Sequence, residues 1–261
     1  MVWVLLPGSM TAPPRQPAYL RRRVSRPHPA NADGVQILAP SIDELTAAER
    51  KRLPARVAKL FESLPKALAK APAPFDWLPE ALAGRYPVLE RSTFDEREYW
   101  HVRWTGLFDD RLASWCIGCD AEPSGRCPKA VPEPLAWLRK TFGTFGLNAE
   151  SASGTAPFGR TLAEITARER AAFAEMEVSL ASEPFAGLPR GAERWISLYE
   201  LDGDWVFADL EKNDTVWTGL EWTGEQVVRF SVPWKRAASF ILWRMLEGGI
   251  VTPLDLRMLR G

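Results

Sequence analysis

Cysteine and histidine are the scarcest chemically useful residues in this chain, with three Cys and two His among 261 positions. Three thiols do not make a disulfide framework, so the expected compartment is the reducing cytoplasm. Two imidazoles, His28 and His101, leave little material for histidine-based general-base catalysis. Charge of one sign is lacking as well. Lys plus Arg and Asp plus Glu both number 33, so no net field draws in nucleic acid or an anionic membrane, and neither is expected as a partner. No run approaches the roughly 18 apolar residues of a membrane span. Val2 to Leu6 is too short for the core of a signal peptide. The phosphate-cradling GxxxxGK(S/T) pattern, GxGxxG after a strand, and the GxSxG nucleophile turn are all absent.

Tryptophan, by contrast, is abundant at twelve copies, several times an ordinary share. Trp serves mostly as a large core anchor, and it is also enriched where one protein grips another. The apolar fraction of 46% and the charged fraction of 25% are those of a soluble globular protein. The length suits two domains of ordinary size.

Residues 1–40 read as a disordered basic, Pro-rich leader. Its first thirty residues hold Arg15, Arg21, Arg22, Arg23 and Arg26, repeated Pro and no acidic residue, which cannot bury enough apolar surface to fold. An α+β module is expected over 41–145. Ser41 to Glu44 and Thr46 to Glu49 have the form of capping boxes. Leu53, Val57, Leu60, Phe61 and Leu64 form a helical stripe interrupted by Pro54 and Pro65. Strands are expected from Tyr99 to Trp104, by alternation, and from Leu112 to Ile117, and a short helix from Leu135 to Phe142. Residues 146–159, within a Gly-, Ser-, Ala- and Thr-rich run, read as a linker.

A second α+β module is expected over 160–261. Trp195 to Tyr199, Trp205 to Leu210, Val216 to Trp222 and Gln226 to Phe230 read as a strand meander, with Asp202-Gly203 and Asn213-Asp214 at its turns. Pro233 then opens a helix carrying Ala237, Phe240, Ile241 and Met245. The order of the first half recurs in the second. Thr161 to Glu164 and Thr166 to Glu169 again have the capping form, Trp104-Thr105-Gly106-Leu107 is echoed by Trp217-Thr218-Gly219-Leu220, and Val131-Pro132 by Val232-Pro233. The fold class is therefore α+β in two modules, each a small antiparallel Trp-rich sheet flanked by helices. A divergent duplication is one reading of the echoes, and chance recurrence of cheap patterns is the other.

Chemistry has few places to reside. Cys116-Ile117-Gly118-Cys119 has a zinc-like spacing, with Cys127 as a third thiol and His101 as an imidazole partner. A structural zinc site usually has four ligands, and the expectation is buried free thiols with no cofactor, zinc being the alternative. Carboxylates cluster around the C-terminal hairpins at Asp202, Asp204, Asp209, Glu211 and Asp214. A hydrolase would need two of them facing one another, whereas acids in hairpin turns are common for local reasons.

Leu188-Pro189, Asp204-Trp205-Val206, Val216-Trp217 and Ala238-Ser239-Phe240 followed by Leu242 and Leu246 make a C-terminal pattern that resembles SMI1/KNR4-type (SUKH) domains over roughly 60 residues. That resemblance implies an α+β module acting as an immunity protein against a bacterial toxin. The expected function is non-catalytic protein binding, the toxin being the concrete partner. Trp205, Asp209, Asp214, Trp217 and Trp222 are the candidate contact residues.

Overall fold

Antiparallel pairing of each strand with the next one in sequence organises this chain. In the computed structural model ten strands among the described residues follow one another across one sheet in the order β1 to β10. They are β1 (Ile37–Ala39), β2 (Tyr86–Phe94), β3 (Arg97–Phe108), β4 (Arg111–Ile117), β5 (Phe145–Ala149), β6 (Ala152–Ala156), β7 (Ile196–Leu201), β8 (Asp204–Asp209), β9 (Asp214–Gly219) and β10 (Gln226–Phe230). Among the described residues seven helices accompany them: α1 (Ala47–Arg52), α2 (Ala55–Leu68), α3 (Leu78–Ala81), α4 (Glu133–Phe142), α5 (Leu162–Glu175), α6 (Trp234–Leu246) and α7 (Pro253–Met258). The structure describes residues 37–39, 41–82, 86–94, 97–108, 111–117, 127–142, 145–149, 152–175, 185, 187–201, 204–219, 226–247 and 249–260.

Helices and an antiparallel sheet together make the class α+β. The strands expected around Tyr99, Leu112, Trp195, Trp205 and Gln226 form, and the one expected from Val216 to Trp222 forms as far as Gly219, its last three residues lying outside the described ones; their period-two alternation matches the pleat. At the turn between β8 and β9, Asn213 takes a φ of +53°, a left-handed conformation that Asn tolerates better than most residues.

Of the four capping boxes expected from the sequence, two form and two do not. Thr46 and Glu49 exchange bonds at the start of α1, the Thr46 N–H donating to Glu49 Oε2 at 2.7 Å. Thr161 and Glu164 do the same at α5, at 2.8 Å. Ser41 makes no capping bond ahead of its 3-10 turn. Thr166 lies inside α5, where its hydroxyl donates to the Leu162 carbonyl at 2.8 Å, a local alternative open to any helical Thr. The boxes that form precede helices of unequal length, 6 residues in α1 and 14 in α5.

The stretch 146–159, expected as a linker, carries most of β5 and all of β6. Ladder hydrogen bonds are made by backbone, so a run poor in large side chains still serves as strand where its neighbours flank it. β5 pairs with β4 over four positions and with β6 over five. β6 meets β7 at the single pair Thr155 with Glu200. Just beyond β6 the chain stays beside β7: the Gly159 N–H donates to the Ser197 carbonyl at 3.1 Å, and the Ser197 N–H donates to the Arg160 carbonyl at 2.8 Å. Buried Ser197 also donates its hydroxyl to the Pro157 carbonyl and accepts from the Arg160 N–H.

The main core draws on both halves of the chain. It gathers Leu64, Phe75, Leu89, Val102 and Leu138 with Leu198, Val206, Trp217, Ile241 and Leu246. A second cluster lies on the opposite face of β8, because Phe207 alternates with Val206. It joins Ile165 of α5 to Phe185, Trp195, Trp205, Phe207 and Val216. The C-terminal end of the sheet is thus covered on both faces, by α6 on one and by α5 with Phe185, Leu188, Ala192 and Trp195 on the other.

Candidate binding surface

The helix α6 is wound so that most of its surface disappears. Trp234, Ala237, Ala238, Ile241, Leu242, Met245 and Leu246 are all buried, at the three-and-four spacing of one helical face, and pack over β6 to β9. Trp243 is out of phase with that stripe and stands 45% exposed. Phe240, one of the apolar residues recurring at helical spacing here, is half-buried at the margin of the core, where its ring sits 5.8 Å from that of Trp243. The physical reason is angular: seven buried positions already fill the face turned to the sheet, and Phe240 falls at its edge.

A loop from the N-terminal half is laid against this margin. Trp77 donates its indole N–H to Ser239 Oγ at 2.8 Å, and that hydroxyl in turn donates to the Pro74 carbonyl at 3.2 Å. Trp77 is half-buried. Phe240 and Trp243 form an aromatic ridge, and Trp77 is tied to α6 at Ser239, one residue before Phe240 and one helical turn before Trp243. Lys235, Arg236 and Arg244 of α6 provide positive charge along the helix, and Glu247 follows its last turn. Further along the chain, Leu254 and Met258 of α7 are 65% and 75% exposed.

The residues expected to make contact are distributed differently. Trp205 is 6% exposed, stacked on Phe207 at 5.9 Å and met edge-on by Phe185 at 5.9 Å. Trp217 is 3% exposed and belongs to the main core. Asp209 is buried and paired with Arg229 Nη1 at 2.8 Å, and Asp214 approaches the same guanidinium at 3.5 Å. These two acids tie β8 and β9 to β10. Trp222 lies outside the described residues. The signal that marked the ridge in the sequence was a Trp one position past the buried Leu242, off the apolar stripe.

Two of the three cysteines, Cys116 and Cys127, lie among the described residues. Cys116 lies on β4, directly across from Arg103 of β3, and His101 pairs across to Glu90 of β2. Cys119 lies outside the described residues. Cys127, before α4, is half-buried and unbonded to another cysteine. Its partial burial pushes the thiol up, Arg139 opposes this and Glu164 adds to it, so Cys127 stays protonated at neutral pH. Among the described residues no group of three His, Cys, Asp or Glu side chains is placed to hold a metal ion. Asp202 lies outside the described residues, and Glu211 pairs with Arg194 at the surface.

One polar cluster was not anticipated from sequence. Arg139 of α4 makes a two-pronged pair with Glu164 of α5, at 2.7 and 3.0 Å, and donates to the Gly159 carbonyl at 2.9 Å. Partial burial pushes the Glu164 carboxyl up. The Arg139 hydrogen bond and the Thr161 N–H outweigh this and hold it below its ordinary value. These bonds lock α4, α5 and the β6–β7 junction together. Among the described residues no helix is long and apolar enough to cross a membrane. In comparison with known proteins, no family model matches the chain, and neither a curated protein nor a solved structure does.

Proposed function

We propose that this chain is a non-catalytic protein-binding protein that engages its partner through the aromatic ridge of α6. The observation that carries this reading is Trp243, 45% exposed on a helix whose other large apolar side chains are turned inward or to the margin. Trp is a residue enriched at the energetic centres of protein contacts, and here it stands beside Phe240 with cations around it. The resemblance of the C-terminal pattern to SMI1/KNR4-type domains supplies the sharper form, an immunity protein that masks a toxin. A ridge of this kind suits obstruction of a partner's cleft, since a rigid helix presents the rings with little ordering cost.

The test is capture of the proteins encoded beside this one by the full chain and by Trp243→Ala, with circular dichroism as a check on folding. A partner retained in stoichiometric amount by the wild type and released by Trp243→Ala supports the proposal. Equal retention by both proteins rules out the ridge, and no retention by either rules out the binding role toward these candidates.

A further inference from the structure

Resting on the reading of the ridge as a contact surface, we infer the chemistry of its occupant: an acidic protein segment with an apolar centre, flanked on both sides by carboxylates. Two cations of α6 bracket the rings. At about 100° per helical residue, Phe240 lies about 60° round the helix from Trp243. Lys235 lies about 80° to one side of Trp243 and Arg244 about 100° to the other, nine residues or about 13.5 Å apart along the axis. Neither cation is ion-paired with a carboxylate among the described residues.

Both cations are also held in place. The Lys235 ammonium stands 5.7 Å from the centre of the Trp234 ring, and Trp234 is buried. Arg244 rests against a residue without a side chain: a Cβ at Gly249 would lie 2.5 Å from Arg244 Cζ and 2.6 Å from its Nε. The Gly249 N–H donates to the Arg244 carbonyl at 3.0 Å, which fixes that approach. Rings for an apolar anchor and a fixed cation on either flank are complementary to carboxylates bordering an apolar centre. Rings and cations also suit single-stranded nucleic acid. A strand, however, carries charge at every nucleotide and calls for a continuous basic track, whereas these cations stand apart on a chain with 33 basic and 33 acidic residues.

Fluorescence anisotropy of the full chain tests this, with a labelled peptide carrying a central Leu-Phe pair between runs of Glu. Binding is expected, and raised salt is expected to weaken it several-fold. Lys235→Glu, Arg244→Glu and Trp243→Ala are each expected to weaken it several-fold, and Arg244→Lys to do so less than Arg244→Glu. Gly249→Ala displaces only the flexible end of Arg244, so it is expected to weaken binding while leaving the thermal midpoint unchanged. Four results overturn the inference: no binding, equal binding of a peptide with Lys in place of Glu, tighter binding of an oligothymidine strand, or loss in Trp243→Ala without loss in either Glu variant. A dimer of the full chain that Trp243→Ala dissociates also overturns it, assigning the face to a second copy. Capture through Trp243 with no binding of the acidic peptide retires this chemistry and leaves the ridge standing, so the two readings fail separately.

Discussion

Gly159 occupies a position where one added carbon has nowhere to go. Its φ is +74°, and a Cβ would sit 3.0 Å from the Leu135 carbonyl oxygen and 3.2 Å from Val131 Cγ1. The carbonyl is backbone inside α4 and does not yield easily. Both the left-handed conformation and the contact oppose a side chain, so Gly159→Ala is expected to destabilise the protein by more than about 1 kcal/mol, measured by urea denaturation. A change near zero would mean that the junction relaxes freely. The adjacent Arg139–Glu164 pair makes a different prediction. A carboxyl whose folded value lies below the ordinary 4.5 contributes stability that is fully present above that ordinary value and is lost as pH falls through the folded one. Between about pH 5 and 3, the wild-type thermal midpoint is therefore expected to fall more steeply than that of Glu164→Gln. Parallel acid limbs would remove the pair from the account of stability.

At the scale of elements, α6 separates residues that the sequence treats alike. Ile241 is fully buried, whereas Phe240 is half-buried. Ile241→Ala is expected to cost about 2–5 kcal/mol through lost transfer energy and a residual cavity, and Phe240→Ala clearly less despite the larger ring removed. Thermal denaturation of the two variants decides it, and a larger loss from Phe240→Ala would mean that the helix is rotated from the orientation described. The elements legible in the sequence were those with a strong period: β7 to β10 by alternation, α4 and α6 by their Val-Pro starts and apolar stripes. β5 and β6 were hidden because their residues are small and linker-like, and strand formation there depends on ladder partners distant in sequence. The site was legible only in kind. The excess of Trp pointed to anchors, but alternation alone does not say that both faces of β8 and β9 are covered, and that covering is what takes Trp205 and Trp217 inside.

Across the whole molecule, the two halves expected as separate modules share their largest apolar cluster. Leu64, Phe75, Leu89 and Leu138 pack in the same core as Ile241, Met245 and Leu246, and Trp77 reaches 162 positions along the chain to bond Ser239. β6 pairs with β7 at one position, and the backbone bonds of Gly159 and Arg160 to Ser197 and the bridge of Thr161 to Ile196 continue it, so the halves are joined by backbone pairing as well as by side chains. Buried apolar contact is roughly proportional to area and non-directional, which makes it lost to both halves at once when they part. Separately expressed fragments 1–150 and 151–261 are therefore expected to expose apolar surface, bind a hydrophobic dye and unfold without a sharp transition. Mixed together, they are expected to recover cooperative unfolding, and the full chain to melt in a single step by calorimetry. Two independent transitions in the full chain, each matched by its isolated fragment, would restore the division into two folding units and reduce the shared core to a docking contact between them.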